Sequence, residues 1–437
     1  MIAQSAEDHA SFSDMRRRIK AIIVGSIGNL VEWYDFYAYA AFALYFAGSF
    51  FPGDDPVVQQ LNAAILFAIG FIVRPLGGWL FGHLADTVGR RKSLMLSVGL
   101  MCAGSLMIAV LPTYQSIGVF APLLLGLARV IQGLSLGGEY GTSATYLTEV
   151  ADERHRGFYS SFQYVTLIGG QLCAVMVLLL LQQLLLSADD LKAWGWRIPF
   201  FIGAMLAVVA LLMRRNLHET DQFIVARGTR QKSSVKELMN YPREVLLVVG
   251  LTMGGTTAFY TYTTYMQKFL KLSVGLSDFQ TTFVTSLSLV FALLLQPLYG
   301  ALSDKIGRKP LLIAFGAAGT LFTIPLLDAL QATRSATTAL ILICAAWLIV
   351  AGYTSINAVV KAELFPTFVR ATGVGLPYAV TVSVFGGAAE SIALGFKTLG
   401  HERWFYYYLT AVIALSLLVY LFMRDTKEHS SIRAQSP

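Results

Sequence analysis

The chain has 437 residues, 55% of them hydrophobic and 14% charged; soluble domains carry roughly 25% charged residues, so a water-soluble globule is excluded. Its formal net charge is +7 and its isoelectric point about 9.2, yet in so apolar a chain basic residues report membrane topology more often than nucleic-acid binding. The cysteines, Cys102, Cys173 and Cys344, are odd in number and sit inside apolar segments, which argues against a disulfide framework.

The first apolar run follows Arg16, Arg17, Arg18 and Lys20, outlasts a signal-peptide core and lacks a small-residue cleavage pattern downstream. It reads as a retained first helix. A hydrocarbon core about 30 Å thick takes roughly 20 apolar residues per helix. Apolar windows between charge and turn clusters predict twelve spans, near 20–48, 59–84, 93–111, 117–149, 158–186, 197–213, 244–270, 278–301, 310–330, 338–361, 371–397 and 403–423. The even number brings both termini to one side. The loops on that side, with the tails, hold 24 of the 33 Lys and Arg residues, and the opposite loops hold 7. That bias predicts cytoplasmic N- and C-termini for a multi-pass protein of a bacterial inner membrane.

The expected organisation is an all-α membrane protein: a tail over 1–18, a six-helix half over 19–213, a cytoplasmic linker over 214–243, a second six-helix half over 244–424 and a tail over 425–437. The linker, the longest polar stretch, reads as a solvated amphipathic surface helix. An internal repeat supports two halves. GHLADTVGRRK over 82–92 follows the second span and GALSDKIGRKP over 300–310 the eighth, both G-x-L-x-D-x-x-G-R. Glu149 and Arg156 follow the fourth span and Glu363 and Arg370 the tenth, each pair seven apart. Asp86 and Asp304 are offset by 218 positions, and both members of the second pair by 214. In such loops glycine lets helices approach, and arginine can bond an acid on a neighbouring helix. Asp86, Arg90, Glu149, Arg156, Asp304, Arg308, Glu363 and Arg370 are therefore expected to form gates, where the plainer alternative is that they only fix topology.

These residues resemble the major facilitator superfamily, whose loop signature G-x-L-x-D-x-x-G-R appears twice here and whose fourth helix carries R-x-x-Q-G, as Arg129 to Gly133 do. More narrowly, NLVEWYDFYAYA at 29–40, VRPLGGWLFG at 73–82, GLSLGGEYGTSATYLTEV at 133–150, FQYVTLIGGQ at 162–171 and WGWRIPF at 194–200 look like the metabolite:H⁺ symporter family. The resemblance implies a monomeric, alternating-access carrier in the bilayer that moves a small dicarboxylate such as α-ketoglutarate together with H⁺. Citrate, aromatic acids or a zwitterionic osmolyte are the alternatives within that family. An osmolyte carrier would be expected to have a long coiled-coil tail, and this chain ends about a dozen residues after Arg424. A non-transporting membrane sensor would be expected to carry a large extra soluble domain.

An ionisable side chain near the bilayer centre costs a few kcal/mol, so it is functional by default. At about 1.5 Å per residue, Glu32, Asp35, Arg74 and Arg129 all fall near the midplane. The family resemblance implies Asp35 as proton acceptor and Arg129 as its partner, and Glu32, three residues away on nearly the same helical face, is the competing proton site. Arg74 precedes Pro75, Gly77 and Gly78, which loosen the helix, and its planar guanidinium suits bidentate capture of a carboxylate. A dianion needs further donors, for which Tyr260, Thr263, Tyr265, Lys268, Asn357, Lys361, Gln163, Thr166 and Gln171 are candidates. Lys268 and Lys361 lie near predicted helix ends, where snorkelling to the interface is the plainer reading. Glu390 has no partner that the sequence names. The six histidines fall in loops, interfaces or tails without metal-ligand spacing, and no glycine-rich string carries a phosphate-loop lysine. No metal, cofactor or enzymatic activity is expected.

Overall fold

A backbone crossing hydrocarbon has to satisfy its own N–H and C=O groups, which only helices and closed barrels achieve. The computed structural model uses helices alone: it describes residues 29–88, 90–137, 140, 144–145, 147–148, 151, 154–215 and 235–432, and among these no strand occurs. α1 covers 29–50, α2 Pro56–Phe81, α3 Arg90–Val110, α4 Phe120–Leu136, α5 Arg156–Leu185 and α6 Ile198–Arg215. Then follow α7 Pro242–Val274, α8 Asp278–Ile306, α9 Lys309–Ala332, α10 Ala336–Leu364, α11 Val369–Thr398 and α12 Arg403–Phe422. The twelve predicted spans are all present.

Polar caps sit where these helices leave the apolar layer. Asp55 accepts the N–H of Val57 at the start of α2, and Ser277 forms a reciprocal capping box with Gln280 at the start of α8. Gly275 ends α7 at φ 80°, a conformation that glycine adopts without cost. α7 runs to Val274 and not to 270, because two π-turns, Thr261–Tyr265 and Leu270–Val274, widen it and take up extra residues.

The loosening expected at Arg74 is present, and it has a consequence for packing. α2 breaks at Val73 between Ile72 and Arg74. Pro75 has no N–H to offer the carbonyl of Phe71 four residues back. That carbonyl instead accepts the hydroxyl of Ser383 on α11, at 2.5 Å, so the proline exposes a main-chain acceptor through which α2 meets α11. α2 and α4 cross through glycine. A Cβ added at Gly133 would lie 2.1 Å from the carbonyl oxygen of Gly70, and one at Gly137 2.0 Å from that of Arg74. Small residues allow such approach between membrane helices, and this crossing places Arg74 and Arg129 side by side.

Gly133→Ala is therefore expected to lower the thermal unfolding midpoint in detergent, by the equivalent of about 1–3 kcal/mol of overpacking. Gly395→Ala, where nothing lies within 4 Å, should be neutral or slightly stabilising, since alanine favours helix by about 1 kcal/mol. Equal melting of the two variants would show that the crossing tolerates a side chain.

Candidate functional site

Asp35 lies on α1 with 1% of its surface exposed and Arg129 on α4 with none. They do not touch. Gln132, one turn beyond Arg129, joins them: its Oε1 accepts Arg129 Nη1 at 2.7 Å and its Nε2 donates to Asp35 Oδ2 at 2.8 Å. The other Asp35 oxygen accepts the Ser105 hydroxyl of α3, which Gln132 Nε2 also reaches at 3.0 Å. This corrects the expected direct pair. The carboxylate and the guanidinium are coupled through an amide, whose two ends serve an anion and a cation simultaneously. Gly203 on α6 closes the site, since a Cβ there would come 2.3 Å from Asp35 Oδ1.

The Arg129 guanidinium faces the rings of Phe36, Tyr39 and Phe67 at 4.3, 4.4 and 5.2 Å. The Arg74 guanidinium faces Phe36, Phe71 and Trp33 at 4.3, 3.8 and 5.0 Å. Phe36 is thus shared by both cations, and its ring face attracts each of them. Arg74 Nε and Nη2 are buried without a hydrogen-bond partner among the described residues, and no carboxylate there lies within ion-pair distance. Tyr37, Tyr260 and Tyr378 lie within electrostatic reach of this guanidinium.

Tyr378 also connects Arg74 to the second set of helices. Lys361 on α10, fully buried, stands 3.6 Å above the Tyr378 ring and 3.4 Å from the Tyr140 hydroxyl. Tyr140 and Tyr378 stack at 3.7 Å. Asn357, one turn before Lys361, donates to the hydroxyls of Tyr164 at 2.7 Å and Tyr140 at 3.3 Å, and its Oδ1 has no partner among the described residues. Like Arg74, Lys361 has no ion pair among the described residues. The snorkelling reading fails for both lysines, whose surfaces are 0% exposed.

Lys268 has partners. It lies 3.3 Å from Glu390 on α11 and donates to the carbonyl of Ala40 on α1 at 2.5 Å. Glu390, without a partner in the sequence reading, is therefore the lysine's counter-ion. Glu32 is buried one turn from Asp35. Gln163 and Gln171 are buried on α5, and Gln171 Oε1 has no partner among the described residues. The Thr166 hydroxyl accepts from Asn29 at 2.6 Å, tying α5 to α1. Thr263 donates to the carbonyl of Phe259 in its own helix, and Tyr265 to Glu402.

At the end that carries the loop motifs, Arg308 bonds Asp304 at 2.8 Å and reaches Glu363 at 3.5 Å. The Asp304 carboxylate accepts the main-chain N–H groups of Gly157 and Phe158, at 2.8 and 2.9 Å, where α5 begins. The acid of the second repeat thus closes on a helix N-terminus of the first set, where exposed amides and the helix dipole favour an anion. Arg156 lies within electrostatic reach of Glu363, and Arg370 Nε donates to the carbonyls of Ala362 and Phe365. Asp86 and Arg90 side chains and Glu149 lie outside the described residues. With Arg74 only 6% exposed and Asp35, Arg129 and Lys361 at most 1%, the charged centre is buried.

The family described as "Sugar (and other) transporter" matches residues 21–238 and again 228–435. The chain belongs to this family. Among its relatives, the α-ketoglutarate permease of Escherichia coli strain K12 is 51% identical over 419 residues, covering 96% of each chain. The citrate-proton symporter of Klebsiella pneumoniae is 33% identical over 381 residues, covering 86% of this chain and 85% of that protein. The proline/betaine transporter of Escherichia coli strain K12 is 31% identical over 423 residues, covering 93% and 83%. The proton:xylose symporter XylE bound to a bromo-deoxyglucose superposes with a TM-score of 0.76 over 95% of this chain and 98% of that one, at 18% identity. The fold is thus that of the major facilitator superfamily, and the protein is a multi-pass membrane transporter and not an enzyme.

The chemistry missed at the sequence level lies in Gln132, Ser105, Phe36, Tyr140, Tyr164 and Tyr378. Only Gln132 had a signal, as the glutamine of R-x-x-Q-G. If it relays charge between Arg129 and Asp35, Gln132→Leu should abolish solute accumulation driven by a pH gradient and spare counterflow, as Asp35→Asn should. Accumulation by Gln132→Leu at the wild-type level would show that the relay is not needed. For the gate, Asp304→Asn weakens the bonds to Gly157 and Phe158 far from the centre, so turnover should fall several-fold with substrate affinity retained, because a charge-assisted bond contributes about 1.5–3 kcal/mol. An equal loss of equilibrium binding in the purified variant would remove that division of labour.

Proposed function

We propose that the protein is a proton-coupled symporter that imports a small dicarboxylate, α-ketoglutarate above others, across a bacterial inner membrane with both termini in the cytoplasm. One observation carries the reading: Arg74, on the faces of Phe36 and Phe71, and Lys361, on the face of Tyr378, one from each set of six helices, are buried cations with no acid beside them among the described residues. Two such charges suit the two ends of a dianion. A zwitterion would call for one charge of each sign. The 51% identity to a protein named for α-ketoglutarate points the same way.

Charge balance accounts for the proton. In the middle of the bundle, Arg74, Arg129, Lys268 and Lys361 face Glu32, Asp35 and Glu390 among the described residues. Fully ionised, four cations against three acids leave one positive charge. A dianion alone would turn that surplus into a net negative charge inside hydrocarbon, which is costly. A dianion with one proton on an acid leaves the centre neutral. Asp35 suits that proton because Gln132 links it to Arg129, so a carboxylate approaching the guanidinium is felt at the acid; Glu32 is the competing site. Gln163, Gln171, Tyr260 and Asn357 would complete the pocket once the tyrosine stack parts, and Asp304, Arg308 and Glu363 would close the cytoplasmic side.

The reading is tested in proteoliposomes: wild-type protein should concentrate labelled α-ketoglutarate only under an inward proton gradient. Titration calorimetry of purified Arg74→Lys, which keeps the charge but loses the planar fork, should show affinity lowered about tenfold to a hundredfold, since each 1.4 kcal/mol is a factor of ten. Lys361→Met should weaken binding at least as much. Unchanged affinity in both variants would remove the two-cation site.

A further inference from the structure

We propose that Lys268 is the latch of the gate opposite the loop motifs, and that Glu390 is the residue that positions it. The inference rests on the alternating-access reading above, but not on the identity of the substrate.

Among the described residues, four of the contacts that cross between the two sets of helices on this side use main-chain acceptors or bare glycine, beside the ring contact of Phe71 with Tyr260 at 5.0 Å. Lys268 Nζ donates to Ala40 O at 2.5 Å, and Gln267 Nε2 to Ala41 O at 3.1 Å. Ser383 donates to Phe71 O, the carbonyl released by Pro75. Phe71 packs on Gly387, where a Cβ would come 2.5 Å from its ring. Of these contacts only Lys268 brings a charge. Its ammonium is held from one side by Glu390 at 3.3 Å, backed by the Thr264 carbonyl at 3.4 Å, and its remaining reach is directed across the interface. Tyr39 and Tyr265 are the other titratable groups near Glu390.

A carbonyl in the middle of α1 already serves its helix, but its second lone pair can accept a further donor, and a charged donor binds it most strongly. A charge-assisted bond is roughly twice as strong as a neutral one, and water cannot replace it inside the bundle. The contact therefore stabilises the closed end while it lasts. Separation of α1 from α7 breaks it without stranding a charge, because Glu390 keeps the ammonium paired throughout the cycle. A ligand role would instead require Lys268 to leave Glu390 for substrate, abandoning a buried carboxylate, and that is strongly unfavourable. Lys361, with no acid beside it, carries no such obligation.

The experiment uses full-length protein in lipid nanodiscs, with Cys102, Cys173 and Cys344 replaced by serine and spin labels at Val58 and Leu399, exposed positions on α2 and just past α11. Electron–electron distance measurement without substrate reads how often this end opens. In the neutral pair Lys268→Met with Glu390→Gln, the long-distance population should rise about tenfold, the equivalent of one charge-assisted bond, with α-ketoglutarate affinity within about twofold of wild type. The exchanged pair Lys268→Glu with Glu390→Lys restores an ion pair but moves the ammonium to α11, away from Ala40; it should stay open as the neutral pair does. Glu390→Gln alone, the mildest variant, should open partially, and it serves where the double variants unfold. Recovery of the closed population in the exchanged pair would reduce the contact to a structural ion pair and overturn the latch. Unchanged distances with lost substrate affinity would make Lys268 a ligand, also overturning it. Failure of wild type to bind α-ketoglutarate would overturn the substrate reading and leave the distance result standing.

Discussion

The organisation of this protein follows from the cost of an unneutralised charge in hydrocarbon. Among the described residues, seven acidic and basic side chains lie buried in the middle of the bundle, and the way six of them are neutralised separates their roles. Lys268 and Glu390 form an ion pair with a carbonyl as third partner. Arg129 and Asp35 are neutralised at one remove through Gln132. Arg74 and Lys361 have aromatic faces and hydroxyls but no acid among the described residues. Aromatic faces stabilise a desolvated cation by about 2 kcal/mol, less than an anion would, so these two sites remain competent to bind one.

The amide between Asp35 and Arg129 has a mechanical meaning. A direct contact would hold carboxylate and guanidinium in one tight pair and resist protonation of the acid. With Gln132 between them, the acid can gain a proton and the arginine can turn toward the shared Phe36 ring or toward a ligand, while the amide stays bonded to one of them. The relay sits where three helices meet, with Asp35 on α1, Ser105 on α3 and the pair Arg129 and Gln132 on α4.

Both ends of the bundle close on main-chain groups. At one end the Asp304 carboxylate takes two amides from the start of α5, and at the other the Lys268 ammonium takes a carbonyl of α1. Main-chain partners need only that two helices come close, which glycine permits: Gly157 and Gly300 approach to 2.6 Å of each other's carbonyl oxygen for an added Cβ, and Gly387 receives Phe71. Contacts of this kind form and break when helices rock as rigid bodies, with no rebuilding of side chains.

The sequence by itself determined the twelve helices, the repeated loop motif and four of the intramembrane charges, Glu32, Asp35, Arg74 and Arg129, because hydropathy, the 3.6-residue period and turn chemistry are local properties of the chain. Pro75 with Gly77 and Gly78 announced the break at Val73 for the same reason. Which charge meets which was not legible. Lys268 and Lys361 look alike along the chain, each near the end of a long apolar run, yet one has Glu390 beside it and the other a tyrosine ring. Arg129 and Asp35 were matched by residue type, but their separation, and so the place of Gln132, depends on how closely α1 and α4 approach. Ion pairs and stacked rings are decided by distances between helices far apart in sequence, and those distances are set by packing, above all by the glycines at the crossings, which only the tertiary structure brings together.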